Sequence, residues 1–476
     1  MNTFVFFVVK PPKKINSECE QIKPLFLFAM NINDNSERKV SLLQATAINM
    51  IDMVGIGPFV VLSVVAEIMG GTYFLYAWIA GAILAFIDGT VWSQLGSTYP
   101  MAGGSYNFLK EGYGTKWGKL ISFLFVWQTL IQAPLVIASA AIGFSQYFCY
   151  ITPLSTIQSK ILSGSIVIMI VILLYRNIES IGKISVFLWV GVMATMCWII
   201  GGGLFHGNFM QPILHINDGL FVNQAFAAAI GFASVKTMYS YLGYYNVCQL
   251  GGEIINPQKN IPRSMFISIA GIAVLYLMMN ISVASVLPLA EIQHSKFVIS
   301  LFIQRIAGQQ AATIATVLVL WVAFASVFSA TLGYSRVPYA AAKDGAFFPA
   351  FAKLHPTKNF PYISLLFLGS VAFVFSLLFR LKDVIDAILA MRILVQFIGQ
   401  AIGLIFLVKR KGLNHFAWKM PLYPIPALVA IVLWAFIFYS TGSRMMLGGI
   451  AVITLGLIAY TLKSYFERRA ILLKDN

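Results

Sequence analysis

Charged residues are scarce in this chain of 476 residues, where Asp, Glu, Lys and Arg together make up 11%. Soluble domains carry about 25%. Hydrophobic residues make up 59% of the chain, and its mean hydropathy is +0.81. This composition excludes an ordinary soluble domain and predicts a protein embedded in a lipid bilayer.

Cysteine and histidine are also rare, with four and five residues. The cysteines lie far apart and form no Cys-x-x-Cys pair, so we predict neither a disulfide framework nor a zinc site. The histidines fall in predicted loops, and the HExxH, GxSxG and Walker motifs of common enzyme classes are absent. We therefore predict a protein that is not an enzyme and that uses no cofactor and no metal.

Apolar stretches of about 20 residues, the length that crosses about 30 Å of hydrocarbon, recur along the whole chain. They predict about twelve transmembrane helices. Most of the 33 Lys and Arg residues fall in loops that share one side of the membrane when the N-terminus is placed inside. The net charge of +16 is therefore explained without a nucleic-acid partner. We expect a multi-pass protein of the cell membrane with both termini cytoplasmic.

The first predicted span contains residues that interrupt a helix. Gly-x-Gly-Pro occupies positions 55–58, in the middle of the apolar stretch. Glycine permits non-helical backbone and proline removes a hydrogen-bond donor, so we expect the helix to unwind here. A tolerated kink or a glycine packing face is the alternative.

The sixth predicted span has a similar feature, because Gly243 lies there among polar and aromatic side chains. Interrupted segments at matching positions of two inverted repeats are typical of a transporter's central site. The helix that starts after Gly57 would offer free amides to a carboxylate, and unwound carbonyls after Tyr239 would accept from an ammonium. The pattern favours a zwitterionic ligand.

Several loop motifs, in this order and spacing, resemble the amino acid, polyamine and organocation permease superfamily. Beside Gly-x-Gly in the first span, they are PMAGGSY at 100–106, GEIINPQKNIPR at 252–263, SRVPYAAAKDG at 335–345 and PLYP at 421–424. The resemblance covers roughly residues 40 to 460. It implies transport of amino acids or amines by alternating access.

The resemblance also implies an all-α, LeuT-like fold of two inverted five-helix repeats with spans one and six broken. The first repeat is then expected at 41–208 and the second at 209–408, with two additional helices at 409–466. Residues 1–40 and 467–476 are expected to be cytoplasmic tails. An interfacial anchor, or a start of translation at Met30, is an alternative for the N-terminal segment.

The resemblance places a substrate site at the two interruptions. The substrate carboxylate is expected at the backbone of 55–57, the amine at carbonyls of spans one and six, and Tyr239 as an aromatic gate. The lysine that replaces a sodium ion in some members has no counterpart in span five. The residues expected to bind substrate are Ile51, Gly55, Ile56, Gly57, Tyr239, Ser240, Tyr241 and Gly243.

Ionisable residues inside predicted spans are costly and therefore suggest function. Asp52 lies one helical turn before the first interruption, where it could bind a cationic group or carry a coupled proton; a structural bond within the broken helix is the alternative. Lys236 shares a helix face with Tyr239 and could act as a fixed cation, lose its proton during the cycle, or extend toward the outer surface.

Four other polar residues in the predicted spans are candidates for structural contacts or for an ion site. We expect Asp88 and Arg392 to be structural partners within the bundle. Ser326 and Ser329 in span eight could complete an ion site, although serines in membrane helices often bond to their own backbone.

The leading hypothesis is a secondary amino acid transporter that is proton-linked or an exchanger, acting as a monomer or homodimer. A transporter of polyamines or other organic cations is the first alternative. An ion channel is the second, although the sequence contains no TVGYG-type filter.

Overall fold

The structure is a computed structural model that describes residues 38–472, including all of their side chains except those of 382–383 and 466–472. Two isolated β-bridges, Val40 with Ile254 and Ala102 with Leu250, are the extended pairings in this part of the chain. The rest of the regular structure there is helical, so the predicted all-helical membrane fold is confirmed. Residues 1–37, with the alternative start at Met30, and residues 473–476 lie outside the described residues.

We number the longer helices in chain order. They are α1 (Leu42–Met53), α2 (Gly57–Met69), α3 (Leu75–Thr98), α4 (Ser105–Phe148), α5 (Thr156–Leu174), α6 (Ile178–His206), α7 (Gln224–Tyr241), α8 (Pro257–Ala284), α9 (Val298–Tyr334), α10 (Arg336–Lys343), α11 (Tyr362–Leu378), α12 (Leu381–Arg392), α13 (Gly399–Lys411), α14 (Ile425–Ser440) and α15 (Ser443–Leu472). A π-helical segment, Ile393–Ile398, joins α12 to α13. Short helices occur at Gln211–Leu214, Asn246–Gln249 and Leu289–His294, and 3₁₀ turns at Thr72–Phe74, Gly251–Glu253, Pro349–Ala352 and Leu413–His415.

Eight helical segments of the described chain are long and apolar enough to cross a membrane, and α1 with α2 forms a further, bent span. Helices α11 and α14 are apolar but shorter. The outer surface carries exposed large apolar side chains, such as Ile157 and Ile172 on α5 and Leu447 on α15. An apolar outer surface is the one that lipid contact requires. The count of twelve spans and the inverted repeats stay predictions.

Helices α1 and α2 and the C-terminal part of α7 lie in the interior of the bundle, where they position the candidate site. Helix α7 packs against α2 and α3, and α1 packs against α6, α8 and α9. The 44-residue helix α4 runs beside α9, α11, α12, α13 and α15. The ends of α1 and α7 are therefore enclosed by other helices rather than by lipid.

Candidate functional site

The helix of the first span is interrupted between Met53 and Gly57. Helix α1 ends at Met53, α2 begins at Gly57, and the two axes are bent by 43°. Pro58 fits the first turn of α2 because that position needs no backbone donor. Within the described residues, the amides of Ile56 and Gly57 donate to no acceptor. The N-terminus of α2 thus presents two free donors and the positive end of its dipole.

Helix α7 ends at Tyr241, and its end packs directly on the end of α1. Leu242 is extended and Gly243 has a φ of +121°. A Cβ atom at position 243 would lie 2.8 Å from the carbonyl carbon of Asp52. Glycine is required here by both the backbone conformation and the space. The two helix ends are therefore in backbone contact.

Tyr276 on α8 ties these two helix ends together. Its hydroxyl oxygen lies 2.7 Å from the carbonyl oxygen of Met53 and 3.1 Å from that of Ser240. The Ser240 carbonyl, expected to accept from a substrate amine, thus already has a partner on one of its two lone pairs. The sequence analysis missed Tyr276, and its bonds to distant backbone carbonyls leave no signal in the sequence.

A cavity of about 40 Å³ lies where the two helix ends meet. It has room for about three water molecules. Most of the predicted site residues line it together, although they come from four different helices and the segments that follow α1 and α7. The predicted residues in its wall are Asp52, Gly55, Ile56, Gly57, Tyr239, Ser240, Gly243 and Ser326.

Three predicted site residues lie outside the wall of the cavity. Ile51 is completely buried. Tyr241 packs edge-on against Trp78 and Tyr276, with ring centroids 6.3 and 5.2 Å away. Lys236 pairs with a carboxylate, as described below. Their roles as substrate or coupling residues stay predictions.

Tyr239 covers the N-terminus of α2. A Cβ atom at Gly57 would lie 3.1 Å from Cε1 of the Tyr239 ring. The Tyr239 hydroxyl is 2.9 Å from Oγ of Ser139 on α4, which holds the ring in this position. A ligand that reaches the free amides of α2 must therefore pass the ring of Tyr239, as the predicted gate would require.

Asp52 and Arg392 both line the cavity. In the described part of the chain, the Asp52 carboxylate has no hydrogen bond and no ion pair within bonding distance, and it interacts electrostatically with Arg392. One carboxylate and one guanidinium leave the cavity with no formal net charge. Arg392 was expected to be a structural partner within the bundle; the structure places it in the wall of the cavity as well.

Arg392 is held rigidly at the end of α12. Its guanidinium faces the rings of Tyr245 and Tyr334 at 5.0 and 5.6 Å, and Nε donates to Oε1 of Gln396 at 2.9 Å. The side chain is 1% exposed, and its Nη2 atom is buried with no hydrogen-bond partner within the described residues. A buried donor without a partner is costly. The guanidinium of Arg392, which lines the cavity, therefore keeps one buried donor without a partner among the described residues.

Two ion pairs involve residues near the C-terminal end of α7, one residue preceding this end in the sequence and the other following it. Before it, Lys236 pairs with Asp386 of α12, and both side chains are mostly buried. After it, Arg336 donates from Nε to Oε1 of Glu253 at 3.1 Å. Glu253 and Arg336 belong to the loop motifs at 252–263 and 335–345, so two segments far apart in sequence meet here.

The remaining polar residues of the spans have structural contacts. Asp88 is fully buried and accepts hydrogen bonds from Tyr244 and Trp434. Ser329 bonds not to its own helix but to the carbonyl oxygen of Ile48 on α1, at 2.7 Å. No group of three metal-binding side chains occurs among residues 38–472 as far as they are described.

Comparison with known proteins agrees with this architecture. A family model described as amino acid permease matches residues 40–458. The serine/threonine exchanger SteT of Bacillus subtilis is 25% identical over 417 residues, covering 87% of this chain and 93% of the relative. The human cystine/glutamate transporter is 25% identical over 442 residues, covering 91% and 86%. The putrescine transporter PotE of Haemophilus influenzae is 22% identical over 434 residues, covering 90% and 97%.

The resemblance inferred from the loop motifs is thereby confirmed. The matched region contains both helix interruptions, the cavity and the two ion pairs. The relatives named above are transporters and exchangers of small molecules that carry amino or ammonium groups. Because the family model covers most of the sequence, this membrane protein belongs to the amino acid permease family of the amino acid, polyamine and organocation superfamily.

Proposed function

We propose that this protein is a secondary transporter that moves amino acids across the cell membrane by alternating access. The cavity at the helix interruptions carries the proposal, because it combines donors for a carboxylate with an acceptor for an ammonium. The amides of Ile56 and Gly57 would bind the α-carboxylate at the N-terminus of α2. The Asp52 carboxylate and the carbonyls at the end of α7 would receive the ammonium.

The charges of the cavity favour a zwitterion over a polyamine. A polyamine would bring two or more cations next to the buried guanidinium of Arg392 and would be repelled by it. An amino acid brings one charge of each sign and leaves the cavity neutral. Transport of a polyamine, the alternative that the relative PotE suggests, is thus disfavoured.

Alternating access requires a barrier on each side of the site, and the two ion pairs have suitable positions. Lys236 with Asp386 joins α7 to α12, and Arg336 with Glu253 joins the segments that follow α7 and α9. Opening toward one side would break one pair and leave the other in place. We propose that the pairs act as the two closures of the pathway.

Asp52 is the proposed coupling residue. A carboxylate without a partner inside a membrane protein can take up a proton when no ammonium is bound. Substrate and proton would then compete for the same group, which links their movements. We propose proton-linked transport or exchange of one amino acid for another.

Uptake into proteoliposomes tests the proposal. The full chain is reconstituted, and uptake of labelled amino acids and of putrescine is measured with and without internal amino acid and with imposed proton or sodium gradients. We expect saturable uptake of at least one amino acid, faster with internal amino acid or an inward proton gradient. Absence of flux for every amino acid would contradict the proposal, and uptake of putrescine alone would replace it with polyamine transport.

A glycine substitution locates the transport site. Gly57→Ala places a methyl group 3.1 Å from the Tyr239 ring and from Oγ of Ser240, in front of the free amides of α2. We expect uptake at least about tenfold lower, equivalent to about 1.4 kcal/mol of binding. Gly448→Ala on α15 is the matched control, because nothing lies within 4 Å of the added methyl group. Equal uptake by both variants would place the carboxylate site elsewhere.

A further inference from the structure

Three lysines, from two distant parts of the chain, line a second cavity of about 180 Å³. Lys110 and Lys119 lie on α4 and Lys463 lies on α15. We call this space the basic cavity. Its acidic lining residue is Asp344, whose Oδ2 lies 2.6 Å from Nζ of Lys110. Three cations and one anion leave the basic cavity with a formal charge of +2.

The backbone of α4 is shaped so that two of these lysines face the same space. Gly114 interrupts the helix with a φ of +66°, which favours glycine. A Cβ atom at Gly118 would lie 2.3 Å from the carbonyl oxygen of Lys110. The chain thus folds closely back on itself between Lys110 and Lys119, and a larger residue at 118 would prevent it.

The lysine side chains are positioned from several elements. Nζ of Lys463 donates to the carbonyl oxygen of Ala346 at 2.7 Å and lies 5.7 Å from the centroid of the Phe123 ring. Lys119 is exposed and has no ion-pair partner in the described part of the chain. The tendency of lysines to remain on the cytoplasmic side explains their presence near a membrane surface but not their convergence on one cavity.

An apolar groove adjoins the basic cavity. It measures about 510 Å³, within the range of about 300–1,000 Å³ that is usual for ligand sites. Phe123, Gly345 and Lys463 belong to the walls of both spaces, so the two lie side by side. Phe348 at its edge is 67% exposed, so the groove opens toward the surroundings of the bundle. The large apolar residues of the groove are Phe123, Trp127, Leu130, Phe347 and Phe348, and Pro349 and Ala459 complete its apolar wall.

We propose that the basic cavity and the apolar groove together bind one anionic phospholipid. Its phosphate would lie among Lys110, Lys119 and Lys463, and an acyl chain would lie in the groove. Basic pockets between transmembrane helices on the cytoplasmic side commonly bind anionic lipid headgroups. A zwitterionic lipid would bring its own cation next to the lysines, so the charge selects a headgroup with net negative charge. This proposal does not depend on which substrate is transported.

Thermal unfolding of the purified full chain in detergent tests the proposal. The probes are dioleoylphosphatidylglycerol, dioleoylphosphatidylcholine and inorganic phosphate, each titrated separately. A ligand that binds the folded protein raises its Tm. We expect phosphatidylglycerol to raise the Tm at concentrations where the other two do not. An equal effect of phosphatidylcholine would overturn the charge selection, and an equal effect of inorganic phosphate would overturn the assignment to a lipid.

Two charge variants distinguish binding in the basic cavity from a general attraction of anionic lipid to the lysines of the protein surface. Lys119→Gln removes an exposed cation from the cavity, and we expect the half-maximal phosphatidylglycerol concentration to rise about fivefold. Lys116→Gln is the matched control, since Lys116 is exposed on the same helix, lies outside the cavity wall and interacts with Trp117. An equal response of the two variants would overturn the proposed headgroup site.

A third variant tests the groove. Phe348→Ser introduces a polar group at its exposed edge, where little packing is lost. We expect weaker stabilisation by phosphatidylglycerol and an unchanged Tm without lipid. Unchanged stabilisation would overturn the placement of the acyl chain.

Discussion

Asp52 and Asp88 are both aspartates inside membrane-spanning helices, yet their surroundings differ. Asp88 on α3 is completely buried and accepts hydrogen bonds from the Tyr244 hydroxyl and from Nε1 of Trp434, the latter at 3.0 Å. Asp52 on α1 lines the central cavity and has no hydrogen-bond partner in the described part of the chain. Asp88 is fully enclosed, whereas Asp52 is only partly buried. The hydrogen-bond partners distinguish a carboxylate that holds the structure from one that is available to a ligand.

Asp88 stabilises a segment that lines the cavity, although Asp88 itself does not line it. Tyr244, one of its donors, follows directly after Gly243 in the segment that ends α7, and Trp434 stacks on Phe397 with ring centroids 3.9 Å apart. Asp88 thereby fixes the position of a segment whose other face lines the cavity. The two aspartates therefore lie at different interruptions: Asp88 holds the segment after α7, whereas Asp52 lies near the end of α1 with a carboxylate that has no hydrogen-bond partner within the described residues.

The largest expected effect on stability is that of Asp88→Leu. The substitution leaves the Tyr244 hydroxyl and the Trp434 indole nitrogen buried without an acceptor, at a cost of about 1–3 kcal/mol each. We expect a clearly lower Tm in detergent, measured by thermal unfolding. Adding Tyr244→Phe removes one orphaned donor and should recover part of the loss. A Tm equal to that of the unmodified protein would contradict the structural role of Asp88.

A smaller effect is expected for Tyr276→Phe. The lost hydroxyl bridges the ends of α1 and α7, but the carbonyl oxygen of Met53 keeps the amide of Gly55 as a donor. We expect a loss of about 1 kcal/mol in the free energy of unfolding, together with slower amino acid uptake. Tyr439→Phe on the exposed surface of α14 is the control. If both variants had the same Tm and the same uptake, the hydroxyl of Tyr276 would not matter for the interruption.

The sequence predicted the positions of the helix ends better than the contacts between them. Gly-x-Gly-Pro at 55–58 and Gly243 were sufficient to locate the interruptions, because glycine and proline act on the backbone of their own segment. Residues 239–241 were assigned together, but successive helical residues point in directions about 100° apart. Tyr239 therefore lines the cavity while the ring of Tyr241 packs on Trp78.

The contacts that were missed join residues far apart in the chain. Lys236 with Asp386, and Arg392 with the cavity that contains Asp52, depend on how α12 packs against α7 and on where the end of α12 lies. Periodicity within one helix contains no information about that packing. An arginine inside a span indicated that something must compensate its charge, but only the folded chain shows that three aromatic rings and a cavity surround it.

The smallest effect on stability, and the sharpest contrast with Asp88, is expected for Asp52→Asn. Asparagine is similar in size, and no hydrogen bond within the described residues is lost, but the electrostatic interaction with the buried Arg392 is. We therefore expect the free energy of unfolding to fall by less than about 1 kcal/mol, and the Tm to change less than for Asp88→Leu. Uptake should fall about tenfold or more, because a charge-assisted hydrogen bond to the ammonium is worth about 1.5–3 kcal/mol. Acceleration by an inward proton gradient should disappear, since the amide cannot take up the proton. Unchanged uptake and an unchanged response to the gradient would remove Asp52 from the mechanism. Asp88→Asn is the matched control, and it should lower the Tm while any folded fraction still responds to the gradient.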